Sequence, residues 1–246
     1  MNSAKFRFYG ELNDFLPISK QGTAFSHSFR ANPSLRDMLC SFGVPAAEVD
    51  LILVNDKSVD FSYKLENDDN VSVYPVFESF DITDVTHLRA RPLRVSRFIL
   101  DVHLGKLAKY MRLLGFDSSF SSSFSDDEII RASTGEKRII LTRDRGLLQD
   151  RRVTHGYCVR SEVPFDQAKE VVRKFDLAGS AKPFTLCLVC GVKLVPASKD
   201  EIMDKLQPGT LEYYDEFRRC PGCGRIYWEG THYEKMKKIT IGLLSH

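Results

Sequence analysis

The chain has 246 residues, 43% hydrophobic and 28% charged, with a formal net charge of +2. That is the balance of an ordinary globular protein with room for one to three small cores. No apolar run approaches the roughly 20 residues that a membrane span needs, and the amino terminus lacks the basic-then-apolar layout of a signal peptide. The expectation is a cytoplasmic or nuclear protein with no membrane contact. Residues 1–80 hold 7 Lys and Arg against 11 Asp and Glu, and the remainder 28 against 22, so a polyanionic partner is expected to meet the remainder.

The first 80 residues read as a small α+β unit. Phe6-Arg-Phe-Tyr9 alternates, Thr23–Phe29 is its expected hairpin partner, and Ser34–Phe42 is an amphipathic helix with Ser34 as N-cap, stopped by Gly43. Val49–Val54, a turn at Asn55-Asp-Lys, and Val71-Ser-Val-Tyr-Pro-Val76 complete the strands. The order of hairpin, helix and strands, with the ending Asp68-Asp-Asn-Val-Ser-Val-Tyr-Pro, resembles a ubiquitin-like fold of the sulfur-carrier type. Such carriers end in an exposed Gly-Gly, whereas this segment runs on into Glu78-Ser-Phe-Asp-Ile. The expected role is therefore protein interaction or substrate orientation, in a module separable from the rest.

Residues 81–96 read as a linker with a basic end (Arg89, Arg91, Arg94), where Pro92 argues against a regular helix. Next, Phe98-Ile99-Leu100 and Ile139-Ile140-Leu141-Thr142 are continuous apolar runs, as expected of short buried strands. Between them Leu104–Gly115 reads as a helix: Leu104, Leu107, Ala108, Met111 and Leu114 share one face, and Gly115 closes it. Ser125 is the expected N-cap of a second helix that begins with Asp126, Asp127 and Glu128. The alternation predicts an α/β fold with a doubly wound parallel sheet. Ligands bind at the carboxyl edge of such sheets, where Asp101 and Asp144 each end a strand and Asp126 or Asp127 can join them. Clustered carboxylates call for a cation, and hard oxygen ligands select Mg²⁺ or Mn²⁺. The plain alternative is that these acids are helix caps and solvated turn residues.

Lys106, Lys109 and Arg112 are spaced by three along the first of these helices, and Arg143 and Arg145 flank Asp144. Together they are candidates for tracking an RNA backbone, or else form a solvated face. Phe120 and Phe124, in a serine-rich stretch, are more readily core residues than base-stacking ones. Further on, His155–Val159 reads as a strand with Cys158 buried in it, and Phe165–Phe175 as a helix. His103 and His155 lie near the edge in sequence but read as ordinary core or surface histidines.

The run Arg97-Phe-Ile-Leu-Asp-Val-His-Leu-Gly-Lys-Leu-Ala-Lys-Tyr-Met-Arg-Leu-Leu-Gly-Phe-Asp117, then Asp126-Asp-Glu-Ile-Ile, then Leu141-Thr-Arg-Asp-Arg-Gly-Leu-Leu148, resembles the PIN-like ribonuclease domain at the carboxyl end of mutator-class exonucleases. The resemblance covers Arg97 to the second cysteine pair. It implies a metal-dependent ribonuclease whose acids match Asp101, Asp126 or Asp127, and Asp144. The fourth acid usual in PIN nucleases has no counterpart in Thr154–Arg160; the next acid is Glu162.

Four of six cysteines form the pairs Cys187-Leu-Val-Cys190 and Cys220-Pro-Gly-Cys223, each followed by glycine. This spacing is that of two zinc knuckles completing an S₄ site, and a capping box opening at Ser198 marks a helix between them. The closed site is expected to be structural; two disulfides are the alternative, unsuited to a reducing compartment. Trp228, in Tyr227–Tyr233, can pack the ribbon or stack on RNA, and packing is the favoured reading. The expected organisation is 1–80, linker 81–96, nuclease domain 97–180, and zinc ribbon with basic tail 181–246. Metal-dependent RNA hydrolysis is the leading function. An aspartate-nucleophile phosphatase is disfavoured because His103 stands where it needs a second aspartate. An RNA- or partner-binding module without turnover is the remaining alternative.

Overall fold

The computed structural model describes residues 1–76 and 96–245. The expected linker, with Arg89, Arg91 and Arg94, lies outside the described residues. By packing the chain divides into two compact units. One joins the amino-terminal segment to Ile130–Cys158, and the other joins Ser96–Ile129 to the chain from Val159 onward.

In the first unit, β1 (Asn2–Phe8), β2 (Phe25–Phe29), α1 (Leu35–Ser41), β3 (Val49–Val54), β4 (Lys57–Ser58) and β5 (Asn70–Pro75) follow in order. The sheet order is β2-β1-β5-β3-β4, with β1 and β5 parallel at its centre and β1–β2 an antiparallel hairpin. Alternation in β1 buries Ala4, Phe6 and Phe8, and α1 lays Leu35, Met38 and Leu39 on that face. Ser34 caps α1, its Oγ accepting from the Asp37 amide at 3.2 Å. The segment has the hairpin–helix–strand order expected of a ubiquitin-like domain.

This domain is not separate in its packing. The same unit holds β8 (Ile139–Thr142), α4 (Arg145–Gln149) and β9 (Gly156–Cys158), with β8 and β9 paired in parallel. The short turn Ala46–Glu48 packs against α4 and β9. Glu48 is only 3% exposed, and its Oε1 accepts from the Cys158 amide at 2.5 Å. Arg145 lies over the Phe15 ring, 5.0 Å from its centroid, and Arg151 pairs with Asp37 at 3.0 Å. A buried carboxylate of the first 80 residues thus supplies an acceptor to β9, beyond the expected boundary at residue 80.

The second unit opens with β6 (Phe98–Leu100), α2 (Gly105–Leu113) and β7 (Ser118–Phe120), β6 and β7 pairing in parallel. The five apolar residues expected on one face of α2 are all buried. Gly115 ends the helix at φ +90°, where an added Cβ would sit 2.1 Å from the Lys182 carbonyl oxygen; glycine alone allows both the turn and the approach. α3 (Asp126–Glu136) starts at Ser125, whose backbone and side chain both bond to Glu128 at 2.8 Å. α5 (Pro164–Lys174) then packs on α2. The remainder forms a three-stranded antiparallel sheet of β10 (Val195–Ala197), β11 (Phe217–Arg219) and β12 (Ile226–Trp228), with α6 (Lys199–Ile202) and α7 (Pro208–Tyr213) inserted between β10 and β11. Ser198 and Glu201 form the expected capping box of α6. α8 (Thr231–Leu244) follows and packs on α5. No helix among the described residues is long and apolar enough to cross a membrane.

Glu48→Ala is expected to lower the unfolding free energy by about 1–3 kcal/mol, the cost of stripping a partner from a buried amide. Urea denaturation of the full chain measures it, and an unchanged midpoint would contradict the docked arrangement.

Candidate functional site

The two cysteine pairs meet in the second unit. The four Sγ atoms of Cys187, Cys190, Cys220 and Cys223 lie within 4.8 Å of one another, Cys187 to Cys223 at 3.5 Å and Cys190 to Cys220 at 3.3 Å. A tetrahedral ion with metal–sulfur bonds near 2.3 Å requires sulfurs about 3.8 Å apart, so the four thiols fit one ion. Each pair is wound the same way. The Gly191 amide donates to the Cys187 carbonyl at 2.8 Å and the Gly224 amide to the Cys220 carbonyl at 2.9 Å. Both glycines have left-handed φ, +76° and +73°, which explains the residue after each pair.

Burial pushes the Cys187 thiol up, but hydrogen bonds from the Tyr227 hydroxyl and from the Cys190 and Val189 amides outweigh it and bring the group down to about 6. Burial pushes Cys190 up to about 12. Thiols this close cannot all ionise unaided, and a bound cation removes that conflict. Tyr227 was read from sequence only as part of an aromatic run. Its hydroxyl lies 3.1 Å from Cys187 Sγ and accepts from the Leu188 amide at 3.1 Å. Burial and the contact with Cys187 raise its pKa, so it stays the proton donor to the sulfur.

Arg112 departs from expectation. It is 3% exposed and does not face solvent with Lys106 and Lys109, which are exposed. Nε donates to the Ser118 carbonyl at 2.9 Å, and Nη1 to the carbonyls of Val189 at 2.6 Å and Leu188 at 3.4 Å. Burial lowers its pKa, and the neighbouring Cys190 and Cys187 oppose that; a guanidinium remains charged regardless. The geometric reason is drift, since steps of three on a 3.6-residue helix rotate by about 60° each. Arg112 thus sits about 120° from Lys106 and under the knuckle. Its charge holds the ribbon rather than a substrate.

Asp101 directly follows β6 and is 6% exposed; its carbonyl accepts from Leu104 at 2.9 Å in the turn that leads into α2. Asp126 and Asp127 occupy the first turn of α3 and are exposed. Within their unit, Asp101, Asp126 and Asp127 do not form a ligand cluster as close as the thiols. Asp144 belongs to the other unit, where it is exposed and caps α4, its Oδ1 accepting from the Gly146 amide at 2.7 Å. The cap reading therefore holds for one of its oxygens. Arg143 is exposed. Arg145 is also exposed and donates to the Asp14 carbonyl at 3.4 Å. After β9, Glu162 is exposed, while both carboxylate oxygens of Glu170 on α5 accept from backbone, Arg160 and Ser161, at 2.8 Å. Sequence spacing gave no sign of Glu170 or Glu48, because each meets its partner across a loop or a domain.

Parallel-stranded α/β architecture, a thiol tetrad that fits one metal ion and an amino-terminal ubiquitin-like domain together define the class of this protein. A family model described as Mut7-C RNAse domain matches residues 96–240, and one described as Mut7-C ubiquitin matches residues 1–81. The chain belongs to the Mut7-C RNAse domain family, with its ubiquitin-like domain in front, as the resemblance in sequence implied. Neither the curated proteins nor the solved structures searched gave a match.

Arg112→Lys keeps the charge but loses the planar fork that reaches carbonyls in two segments. It is expected to cost about 2–3 kcal/mol, read as a lower denaturant midpoint with the ribbon metal bound. Wild-type stability would show that the guanidinium is not the tie described.

Proposed function

We propose that the chain is a metal-dependent ribonuclease of the PIN-like type. Asp101, Asp126 and Asp144 hold Mg²⁺ or Mn²⁺, Asp127 is the alternate third acid, and Zn²⁺ fills the thiol tetrad as a structural ion. The observation that carries the reading is Asp101: a carboxylate nine-tenths buried at the carboxyl end of a parallel strand, inside the segment matched to an RNase family. That is where α/β proteins place ligands, and a buried carboxylate there is suited to a cation. A divalent ion held there would lower the pKa of the attacking water and stabilise the leaving oxygen. The chain's own part is to fix the acids. The strand and the turn after it set Asp101, the capping box sets the start of α3, and the α4 cap leaves Asp144 one oxygen free of the Gly146 amide.

Lys106 and Lys109, exposed on α2, and Arg143 and Arg145 beside Asp144 are the proposed backbone contacts. Arg112, committed to three carbonyls, drops out of that set. A cytoplasmic setting is proposed with it, because four thiols gathered for one ion have to stay reduced. The ubiquitin-like domain is proposed as a protein-binding face on the side that does not meet α4 and β9. A binding module without turnover is the second reading, motivated by the missing fourth acid; Glu170 on α5 does not replace it, since both its oxygens accept from backbone amides.

Asp101→Asn keeps the shape and removes the charge, so cleavage of labelled single-stranded RNA in Mn²⁺ should fall by about 100-fold or more while RNA binding persists. Asp101→Asn and Asp144→Asn both cleaving at the wild-type rate would leave the binding-module reading in its place. Metal analysis should find about one zinc per chain, lost when all four ribbon cysteines become serine; retention of zinc in that variant would place the ion elsewhere.

A further inference from the structure

Beside the thiol tetrad the second unit holds a cavity of about 220 Å³, walled by Phe184, Leu188, Trp228, Tyr233 and Met236, with Arg218 on its lining. The size is below the roughly 300–1,000 Å³ of pockets that take drug-sized molecules and suits one planar ring system. With Tyr227, four aromatic residues border the space. Aromatic walls are what single-stranded nucleic acid binders offer to unpaired bases, because every base has a stackable face.

Two further observations separate this from a plain packing defect. Phe184 has φ +62°, a conformation uncommon for an aromatic residue. It is held there by its amide N–H donating to the Leu113 carbonyl at 3.0 Å, with its ring centroid 4.5 Å from that of Tyr233. The wall is thus fixed in place rather than collapsed into the space. The charge is also asymmetric. From Glu216 to the end there are six Lys and Arg against three acids, and Arg218, Lys235, Lys237 and Lys238 are exposed. Glu216 and Glu229, also on the lining, repel phosphate but can accept from the exocyclic amine of a base.

The geometry points to this cavity as a pocket for one unpaired nucleobase of a single-stranded RNA, stacked against Trp228 and Tyr233, with Arg218 and the lysines of α8 on the adjoining phosphates. This rests on the reading of RNA as substrate and adds a binding point outside the acidic residues. An apolar peptide side chain would also fit the walls, but Arg218 with the exposed Lys235, Lys237 and Lys238 outnumbers the two lining acids and favours the polyanion.

Trp228 is the sole tryptophan of the chain, so its fluorescence in the unaltered, zinc-loaded protein reports on the pocket directly. Titration with single-stranded oligoribonucleotide, without added Mg²⁺ or Mn²⁺, should quench the emission to saturation, and the same sequence as duplex should quench it much less. Trp228→Leu should weaken single-stranded RNA binding about tenfold by anisotropy, with zinc content unchanged, and Trp228→Tyr should recover most of the loss. RNA that binds without altering Trp228 emission, an unchanged affinity in Trp228→Leu, or quenching by an amphipathic peptide but not by RNA would each overturn the assignment. Quenching without cleavage would uphold the pocket while the nuclease reading fails; cleavage without quenching would do the reverse.

Discussion

The second unit depends on the Arg112 guanidinium. A buried charge is tolerated only when its donors are spent, and here they reach the Ser118 carbonyl at the start of β7 and the Leu188 and Val189 carbonyls inside the first cysteine knuckle. One side chain thereby binds the helix that follows Asp101 to the strand beside β6 and to the thiol tetrad. The knuckle in return covers the arginine: a Cβ on Gly191 would come within 3.1 Å of Nε. Ribbon and α/β layers are therefore one packing problem, which accounts for a family match that runs through both without a break.

Much of this was legible in the sequence because it is local. Continuous apolar runs mark β6 and β8, serines mark the starts of α1, α3 and α6, and Gly115 marks the end of α2. The cysteine spacing marks the tetrad, since a knuckle is a four-residue loop whose geometry is written in its own glycine. What escaped is what depends on distant partners. Arg112 meets carbonyls 76 and 77 residues away, and nothing near it in sequence announces them. Glu48 likewise reads as one acid in an acidic segment, yet it caps a strand amide 110 residues on. Tyr227 looks like any ribbon aromatic in sequence, yet its hydroxyl lies against the Cys187 sulfur.

The docked ubiquitin-like domain changes what it is for. Its missing Gly-Gly already argued against a carrier. Its turn at Ala46–Glu48 supports β9, and Phe15 lies under Arg145, the residue next to Asp144. The domain thus braces, within its own unit, the loop that bears Asp144.

The central claim is that RNA hydrolysis requires a carboxylate-held divalent ion distinct from the ribbon zinc. The direct measurement is cleavage of labelled single-stranded RNA by the full chain after chelation mild enough to leave the thiol tetrad loaded. Zinc content is followed in the same samples. The account predicts no cleavage after chelation, with activity restored by Mn²⁺ or Mg²⁺ while zinc stays at its starting level. Cleavage that survives chelation unchanged, or that Mn²⁺ and Mg²⁺ both fail to restore in the zinc-loaded protein, would contradict it.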